Sequence, residues 1–207
     1  DDVRRAAGRR SPVRFRVLGD DGRPVRRFDL AHEKRMHLIV VRRDLTGFQH
    51  LHPEMAADGT WEATADLGDA GTYRLYADFT IGGEQHTLGA DVQVGGDFVP
   101  VALPAMLPVA SAGDGIEVRL HRRGGELDFS VTRDGRPVDD RLQPYLGAKG
   151  HLVALRVADL AYLHTHPHGD ELAFETELPT AGAYRVWVQF RLDGAVRTAA
   201  FTIQVAS

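Results

Sequence analysis

The two halves of this 207-residue sequence repeat each other at a spacing of roughly 110 residues. The sequence Asp-Gly-Arg-Pro-Val at residues 21–25 recurs at residues 134–138, and Ala-Gly-Thr-Tyr-Arg at residues 70–74 corresponds to Ala-Gly-Ala-Tyr-Arg at residues 181–185. Self-similarity over this length indicates that a whole domain was duplicated, since solenoid repeats are much shorter. Each copy is therefore limited to about 100 residues, enough for a small domain with its own hydrophobic core.

The segment between the two copies is rich in proline. Residues 96–115 contain Pro100, Pro104 and Pro108 together with several alanines and glycines. Proline at this density favours an extended connector. The predicted organisation is a domain at residues 1–95, a proline-rich linker at residues 96–115 and a second domain at residues 116–207.

Each half is a series of short strand patterns. Residues 13–17 alternate apolar and polar side chains, and residues 36–41 form a nearly continuous apolar run with β-branched members. Further segments at 61–67, 73–79 and 87–94 are bounded by Gly, Asp or Pro, and no segment shows sustained helical periodicity. The pattern predicts an all-β chain of two tandem immunoglobulin-like antiparallel β-sandwich domains.

Two further patterns refine this prediction. Asp-x-Gly-x-Tyr ending at Tyr73 and Thr-x-Gly-x-Tyr ending at Tyr184 match the tyrosine corner of immunoglobulin-like domains, with Leu75 and Val186 where a disulfide cysteine often lies. The second half also opens with a good strand at residues 116–121. The matching region of the first half, residues 3–7, is a poor strand, so we expect the first strand of that domain to be degenerate or missing.

Composition excludes several classes of function. The chain has no cysteine, which excludes disulfides, thiolate metal sites and cysteine nucleophiles. Its net charge of −4 gives no general attraction to nucleic acid. Hydrolase motifs such as Gly-x-Ser-x-Gly and His-Glu-x-x-His do not occur. No apolar stretch is long enough to span a bilayer, and the sequence starts at Asp1 rather than methionine, from which we expect a signal or anchor segment to be absent from this chain.

Each half carries three histidines at the same spacing. The two sets comprise His37, His50 and His52 in the first half and His151, His164 and His166 in the second. Neutral imidazole is a common ligand of zinc and copper, so a repeated group of three predicts one metal site in each domain. The alternative is that these are hydrogen-bonded histidines at a strand end, copied with the domain.

Hairpin geometry predicts that each set converges. In the first half, residues 36–42 and 47–52 are two strands joined by a four-residue loop, which places Ile39 opposite His50 and His37 opposite His52. Opposed side chains lie about 4.5–5.5 Å apart at Cβ and alternate residues share a face, so the three imidazoles project from one side. A register slip of one residue would send His37 to the other face.

The same count applies to the second half. It places His151 opposite His166 and Val153 opposite His164. A fourth ligand is available at Glu54 or His168, which follow the proline in each half, and Met36 flanks the first site. We expect four other residues to be non-ligands, namely His32, Glu33, His86 and His121.

The ligand set narrows the choice of metal. All-imidazole sites suit copper and zinc, and copper(II) binds more tightly by the general affinity order, so we expect copper with zinc as the alternative. Binding requires neutral imidazoles, and we therefore expect release as the pH falls below about 6.

The stretch from His32 to Glu54, which begins His-Glu-Lys-Arg-Met-His and ends His-Leu-His-Pro-Glu, resembles the YtkA-like proteins and related exported bacterial β-sandwich proteins. Residues 70–79 fit the same group, and in the second half the resemblance covers residues 150–167 and 181–190. It implies a secreted or membrane-anchored protein with an immunoglobulin-like fold, of a group associated with heavy-metal or copper handling. The second half departs from the pattern at residues 146–150, which lack the His-Glu-Lys-x-Met lead-in.

These observations lead to one leading hypothesis and two alternatives. The leading hypothesis is a non-enzymatic, extracytoplasmic metal-binding protein with a metal ion as its ligand, serving capture, buffering or transfer to another metal-handling protein. The first alternative is a copper-dependent redox enzyme, which turnover with a reductant and oxygen would reveal. The second is a structural or adhesion module, since tandem immunoglobulin-like domains serve many such roles.

Overall fold

The computed structural model of the protein describes residues 3–6, 8–163, 165–167 and 170–206. The chain divides into two compact units, Asp1–Ala102 and Leu103–Ser207. Regular structure in the described residues is β-strand apart from one short 3-10 helix at Asp139–Arg141. Within this described part, no helix is long and apolar enough to cross a membrane.

The strands of the first unit form two sheets. They are β1 (Val3–Ala6), β2 (Gly8–Phe15), β3 (His37–Arg42), β4 (Gln49–Leu51), β5 (Glu54–Met55), β6 (Trp61–Leu67), β7 (Gly71–Ile81) and β8 (Glu84–Gly95). One sheet has the order β1-β8-β7-β3-β4 and the other the order β2-β6-β5. Apolar side chains of both sheets, such as Leu38, Leu75 and Leu67, meet in a shared core between them.

The second unit repeats this plan. Its strands are β9 (Val109–Gly113), β10 (Ile116–Arg123), β11 (Glu126–Arg133), β12 (Arg136–Pro137), β13 (Gly150–Arg156), β14 (Tyr162–Leu163), β15 (Thr165–Pro167), β16 (Ala173–Thr176), β17 (Gly182–Leu192) and β18 (Ala195–Val205). The sheets have the orders β15-β16-β11-β10-β9, with β12 beside β11, and β14-β13-β17-β18. Their core includes Phe129, Phe174 and Phe201.

Both predicted tyrosine corners are present. The hydroxyl of Tyr73 donates to the carbonyl of Asp69 at 3.1 Å, and that of Tyr184 donates to the carbonyl of Thr180 at 2.6 Å. Two-sheet sandwiches with this corner are characteristic of immunoglobulin-like domains, so the predicted fold of two tandem immunoglobulin-like sandwiches is confirmed.

Two elements differ from the sequence expectations. Residues 3–6, expected as a poor strand, form β1, which runs parallel to β8 with Val3 opposite Val92. Pairing with a long neighbouring strand outweighs weak local strand propensity here. In addition, β9 lies inside the segment predicted as a linker and pairs with β10, so the three prolines of that segment all precede a strand.

In each unit the chain changes sheets directly after the predicted hairpin. Strand β4 pairs with β3, whereas β5, two residues further on, pairs with β6 of the opposite sheet. Likewise β14 pairs with β13 and β15 pairs with β16. The crossing in the first unit falls at His52 and Pro53, and proline has no N–H with which to continue a ladder. His52 therefore lies where the chain leaves one sheet for the other.

Candidate metal centre

The β3–β4 hairpin has the predicted register. Ile39 lies opposite His50, with Val40 opposite Gln49. Leu38 and Val40 point into the core of the first unit. Because side chains alternate along a strand, His37 and Ile39 lie on the other face of this sheet, together with His50.

The three histidines of the first set meet in space. One ring nitrogen from each of His37, His50 and His52 lies within 4.8 Å of those of the other two. The ring centroids are 5.1 Å apart for His37 and His50, 5.2 Å for His37 and His52, and 4.8 Å for His50 and His52. Three convergent imidazoles are a donor set that a tetrahedral ion with one open position can use.

The closest contact joins Nδ1 of His37 to Nε2 of His50 at 2.9 Å. Two nitrogens bound to one tetrahedral ion at 2.0–2.1 Å are separated by roughly 3.3 Å. The two rings need to move apart by only a few tenths of an ångström to admit an ion. Before an ion binds, this pair is held by a hydrogen bond between the two rings.

A backbone carbonyl fixes the protonation of the His37 ring. Nε2 of His37 lies 3.1 Å from the carbonyl oxygen of Ala31, which accepts but cannot donate a proton. Nε2 therefore carries the hydrogen, and in the neutral ring Nδ1 keeps its lone pair and faces His50. Carbonyl or carboxylate partners of this kind orient metal-binding histidines in many proteins.

The carbonyl belongs to a strained hairpin turn. Ala31 and Lys34 exchange both backbone hydrogen bonds, at 2.8 and 3.0 Å, around His32 and Glu33. The φ angles of His32 and Glu33 are 48° and 64°, a left-handed conformation that glycine and asparagine adopt more readily. Left-handed non-glycine residues cost roughly 1–3 kcal/mol each and tend to occur at functional sites. Here the strained turn places the carbonyl that orients the His37 ring.

Burial favours the neutral form of two of these histidines, His52 and His37. It lowers the pKa of His52 to about 4, and repulsion from His37 and Lys34 acts in the same direction. The pKa of His37 is also lowered by burial, although the hydrogen bond to Ala31 and the carboxylate of Asp78 oppose the shift. Nε2 of His52 is buried and has no hydrogen-bond partner among the described atoms. A buried imidazole nitrogen without a partner is costly unless it binds something.

Asp78 provides a buried negative charge beside His37. It lies opposite His37 in the β3–β7 ladder and is 5% exposed. Its carboxylate accepts hydrogen bonds from Gln85 Nε2 at 3.1 Å and Thr87 Oγ1 at 3.3 Å. This carboxylate would offset part of the charge of a cation held by the histidines. Sequence patterns could not identify this residue, because its position depends on pairing between strands that are about forty residues apart.

The additional candidate ligands lie elsewhere. Glu54 is exposed on β5 opposite Glu62 and is not part of the histidine cluster. Met36 is 1% exposed and packs in a core cluster with Trp61 and Phe79, so it is a core residue.

The residues expected to be non-ligands also lie outside the cluster. The His32 ring is centred 6.1 Å from that of His37. His86 stacks on Phe79, and Nε2 of His121 contacts Ser130 Oγ at 3.1 Å. Glu33 is exposed in the turn.

The second set is described only in part. His151 is 9% exposed on β13, and the pairs Ala154–Leu163 and Leu155–Tyr162 follow the predicted register. His164 and His168 lie outside the described residues. The backbone partner of His166 in the structure is Glu175 of β16, and the expected pairing of His166 with His151 stays a prediction. In this unit the chain changes sheets before Thr165, whose hydroxyl still donates to the carbonyl of Leu152 on β13 at 2.9 Å.

A turn like that at His32 also precedes the second set. Tyr145 and Ala148 exchange backbone hydrogen bonds around Leu146 and Gly147, whose φ angles are 56° and 80°. The lead-in sequence is different, but the hairpin turn is retained in both units.

The far end of the β3–β4 hairpin is closed by a buried ion pair that the sequence analysis did not identify. Arg42 donates to both carboxylate oxygens of Asp44, from Nε at 2.9 Å and from Nη2 at 2.6 Å, and each side chain is 7% exposed. Asp44 also accepts hydrogen bonds from Thr46 Oγ1 and from the backbone N–H of Val101. This pair fixes the loop that sets the register of His50.

The two sandwiches and the histidine cluster define the chain as a tandem immunoglobulin-like protein with a candidate metal centre in its first unit. It belongs to the family described as "Domain of unknown function (DUF8832)", whose model matches residues 2–96 and 111–207. The two matches cover one unit each, as the internal duplication requires. No curated protein matches the chain at a significant level of similarity.

Several solved structures are similar to the chain. A structure titled "Anomalous substructure of Titin-A168169" is 12% identical over 100% of this chain and 95% of that one, with a TM-score of 0.26. The titin domains z1z2 in complex with telethonin are 15% identical over 99% and 92% of the two chains, with a TM-score of 0.24. Extracellular domains 3–5 of Drosophila OTK are 13% identical over 100% and 58%, with a TM-score of 0.21. Similarities at this level say nothing about function.

Proposed function

We propose that this protein binds a transition-metal ion in its first unit through His37, His50 and His52. The observation that carries the proposal is the convergence of three ring nitrogens within 4.8 Å around a buried His52 Nε2 that has no partner among the described atoms. The fixed tautomer of His37 adds a donor that already faces the cluster. An ion satisfies all three nitrogens at once.

Copper is the favoured ion and zinc the alternative. The donors are three neutral imidazoles without thiolate, a set that suits both metals, and copper(II) stands higher in the general affinity order. Three protein ligands leave a position open, which suits capture and transfer to another metal-handling protein. We propose a second site on His151, His164 and His166 from the sequence repeat, and an extracytoplasmic location from the resemblance to YtkA-like proteins.

The test is metal analysis of untagged full-length protein together with direct titration of copper(II) and zinc(II). His50→Ala is expected to lower the metal content by one ion per chain. In titrations, the affinity of the first site for the metal is expected to fall by more than about 100-fold, because losing a partner of a ligand already lowers metal affinity by up to about 100-fold. His86→Ala is the matched control, since its ring stacks on Phe79 and lies outside the cluster. Equal metal content in the wild type and His50→Ala would contradict the proposal.

A further inference from the structure

The first unit has an open cleft between the edges of its two sheets. It encloses a cavity of about 240 Å³ whose rims are residues 13–17 at the end of β2 and residues 88–92 of β8. The floor is apolar and is formed by Leu38, Leu67 and Leu75 of the core. Leu88 at the β8 rim is 52% exposed.

The equivalent edge of the second unit is closed by a strand. Leu127, Phe129 and Val131 of β11 stand 114 residues after Val13, Phe15 and Val17 and point into the core in the same way. Strand β10 pairs with the whole length of β11, from Ile116 opposite Arg133 to Arg123 opposite Glu126. Ile116 and Val118 of β10 are fully buried, and β9 pairs with β10 on its outer side.

The first unit uses the corresponding residues differently. The chain before β2 forms β1, which leaves this edge and pairs in parallel with β8. Within the described residues, β2 pairs with β6 alone. In the described part of the chain, the side of Val13–Phe15 that faces away from β6 therefore lacks the strand that its duplicate has.

The charge at this edge also differs between the units. The outward-facing positions of β11 are Asp128 and Ser130, whereas the equivalent positions in the first unit are Arg14 and Arg16. Arg14 contacts Glu62, and Arg16 contacts Asp58 and Thr60, yet their side chains remain 65% and 49% exposed. Opposite charges on directly facing residues of neighbouring strands are stabilising.

We propose that the cleft is a binding site for an extended peptide segment of a partner protein that adds as an antiparallel strand to β2. Apolar residues at every second position enter the cleft, as Ile116 and Val118 do in the second unit. Acidic residues at the intervening positions face Arg14 and Arg16. Backbone hydrogen bonds to the β2 edge give affinity, and the alternating side chains give specificity.

The test uses a fluorescent eight-residue peptide of alternating valine and glutamate, titrated into the full-length protein. Binding is expected by fluorescence anisotropy, with slowed amide hydrogen exchange at residues 13–17. A peptide with four valines followed by four glutamates keeps the composition but loses the alternation, and it is expected not to bind. The double variant R14E/R16E is expected to lower the affinity by about tenfold and to gain affinity for a valine–lysine peptide.

A second variant distinguishes loss of peptide binding from loss of folding. Leu88→Asp alters only an exposed rim residue and is expected to weaken the same peptide, with an unchanged circular dichroism spectrum. Metal affinity is expected to stay the same in all these variants, which separates this site from the histidine cluster. Equal binding of the block peptide would overturn the proposal. So would a dye such as anilinonaphthalene sulfonate that occupies the cleft and is not displaced by the alternating peptide, since it would assign a small-molecule site.

Discussion

At the scale of single residues, the hydrogen bond from His37 to Ala31 determines which nitrogen is available to a metal. We expect nitrogen NMR of the metal-free protein at about pH 7 to show the His37 proton on Nε2. Addition of zinc(II) is expected to shift the Nδ1 resonance of His37 and leave that of His86 unchanged. A proton found on Nδ1 would mean that the ring donates to His50 and is not a ligand in this arrangement.

Burial of the same histidines changes the expected pH dependence. With ordinary pKa values near 6.5, three imidazoles are each about 90% protonated at pH 5.5, and metal affinity falls by about 1000-fold. The pKa of His52 is lowered to about 4 and that of His37 is lowered too, so at these two rings protons compete with a metal only at lower pH. Release therefore moves below the pH of about 6 expected from the sequence.

The corresponding measurement is a competition titration at pH 7.5 and pH 5.5 on a variant that lacks the second set of histidines. We expect the affinity of the first site at the lower pH to stay within about tenfold of that at the higher pH. A loss near 1000-fold would indicate that the folded protein exposes these rings to water.

At the scale of elements, the β3–β4 hairpin depends on the buried pair of Arg42 and Asp44. Asp44→Asn leaves the guanidinium of Arg42 buried without its counter-charge, which is expected to lower the free energy of unfolding by roughly 3 kcal/mol. Urea unfolding at neutral pH measures this. Asp20→Asn, at an exposed position, is the control and is expected to change little.

The same pair gives the hairpin an acid-sensitive contribution. The pKa of Asp44 is lowered to about 2 in the folded protein, from an ordinary value of 3.8, although its own burial opposes the shift; the hydrogen bonds from Arg42 and Thr46 outweigh it. A carboxylate with a depressed folded-state pKa stabilises the protein fully above its unfolded value and loses that effect as the pH falls through the folded value. Stability is therefore expected to drop between pH 4 and pH 2, and less steeply in Asp44→Asn. Parallel curves for the two proteins would contradict this assignment.

The elements show how far the sequence could predict the site. The loop length and the two-residue period of strands were enough to place Ile39 opposite His50, because one face of β3 must be buried. They were not enough to predict that β15 would pair with β16, since the position at which a strand changes sheets depends on the whole sandwich. The hydrogen bond from His37 to the Ala31 carbonyl could not be predicted either, because any residue at position 31 offers the same backbone group.

At the scale of the whole molecule, the duplication predicts the metal content. If both sets of histidines bind, the wild type is expected to hold two ions per chain, and His50→Ala and His164→Ala one each. The double variant is expected to hold none. Metal analysis by mass spectrometry of the four proteins checks this, and a single ion in the wild type that survives His164→Ala would restrict binding to the first unit.

The overall plan of the molecule was predictable for a related reason. Duplication doubles every sequence signal, so the strands and tyrosine corners could be identified by their recurrence, and Tyr73 and Tyr184 make the expected hydrogen bonds. Differences between the copies were harder to foresee. The sequence indicated that residues 3–7 were a weak strand, but not that β1 would leave the edge of β2 and pair with β8.

The carbonyl oxygen of Ala31 connects the candidate metal centre to the hairpin turn that precedes it. The oxygen of Ala31 accepts hydrogen bonds from Nε2–H of His37 and from the amide of Lys34. An ion bound at Nδ1 would draw electron density from the His37 ring, make its Nε2–H more acidic and strengthen its bond to Ala31. Ion binding would thus stabilise the turn that orients the ring in the metal-free protein. Occupancy of the site and stability of the turn would then be coupled through a single backbone carbonyl, six residues before His37.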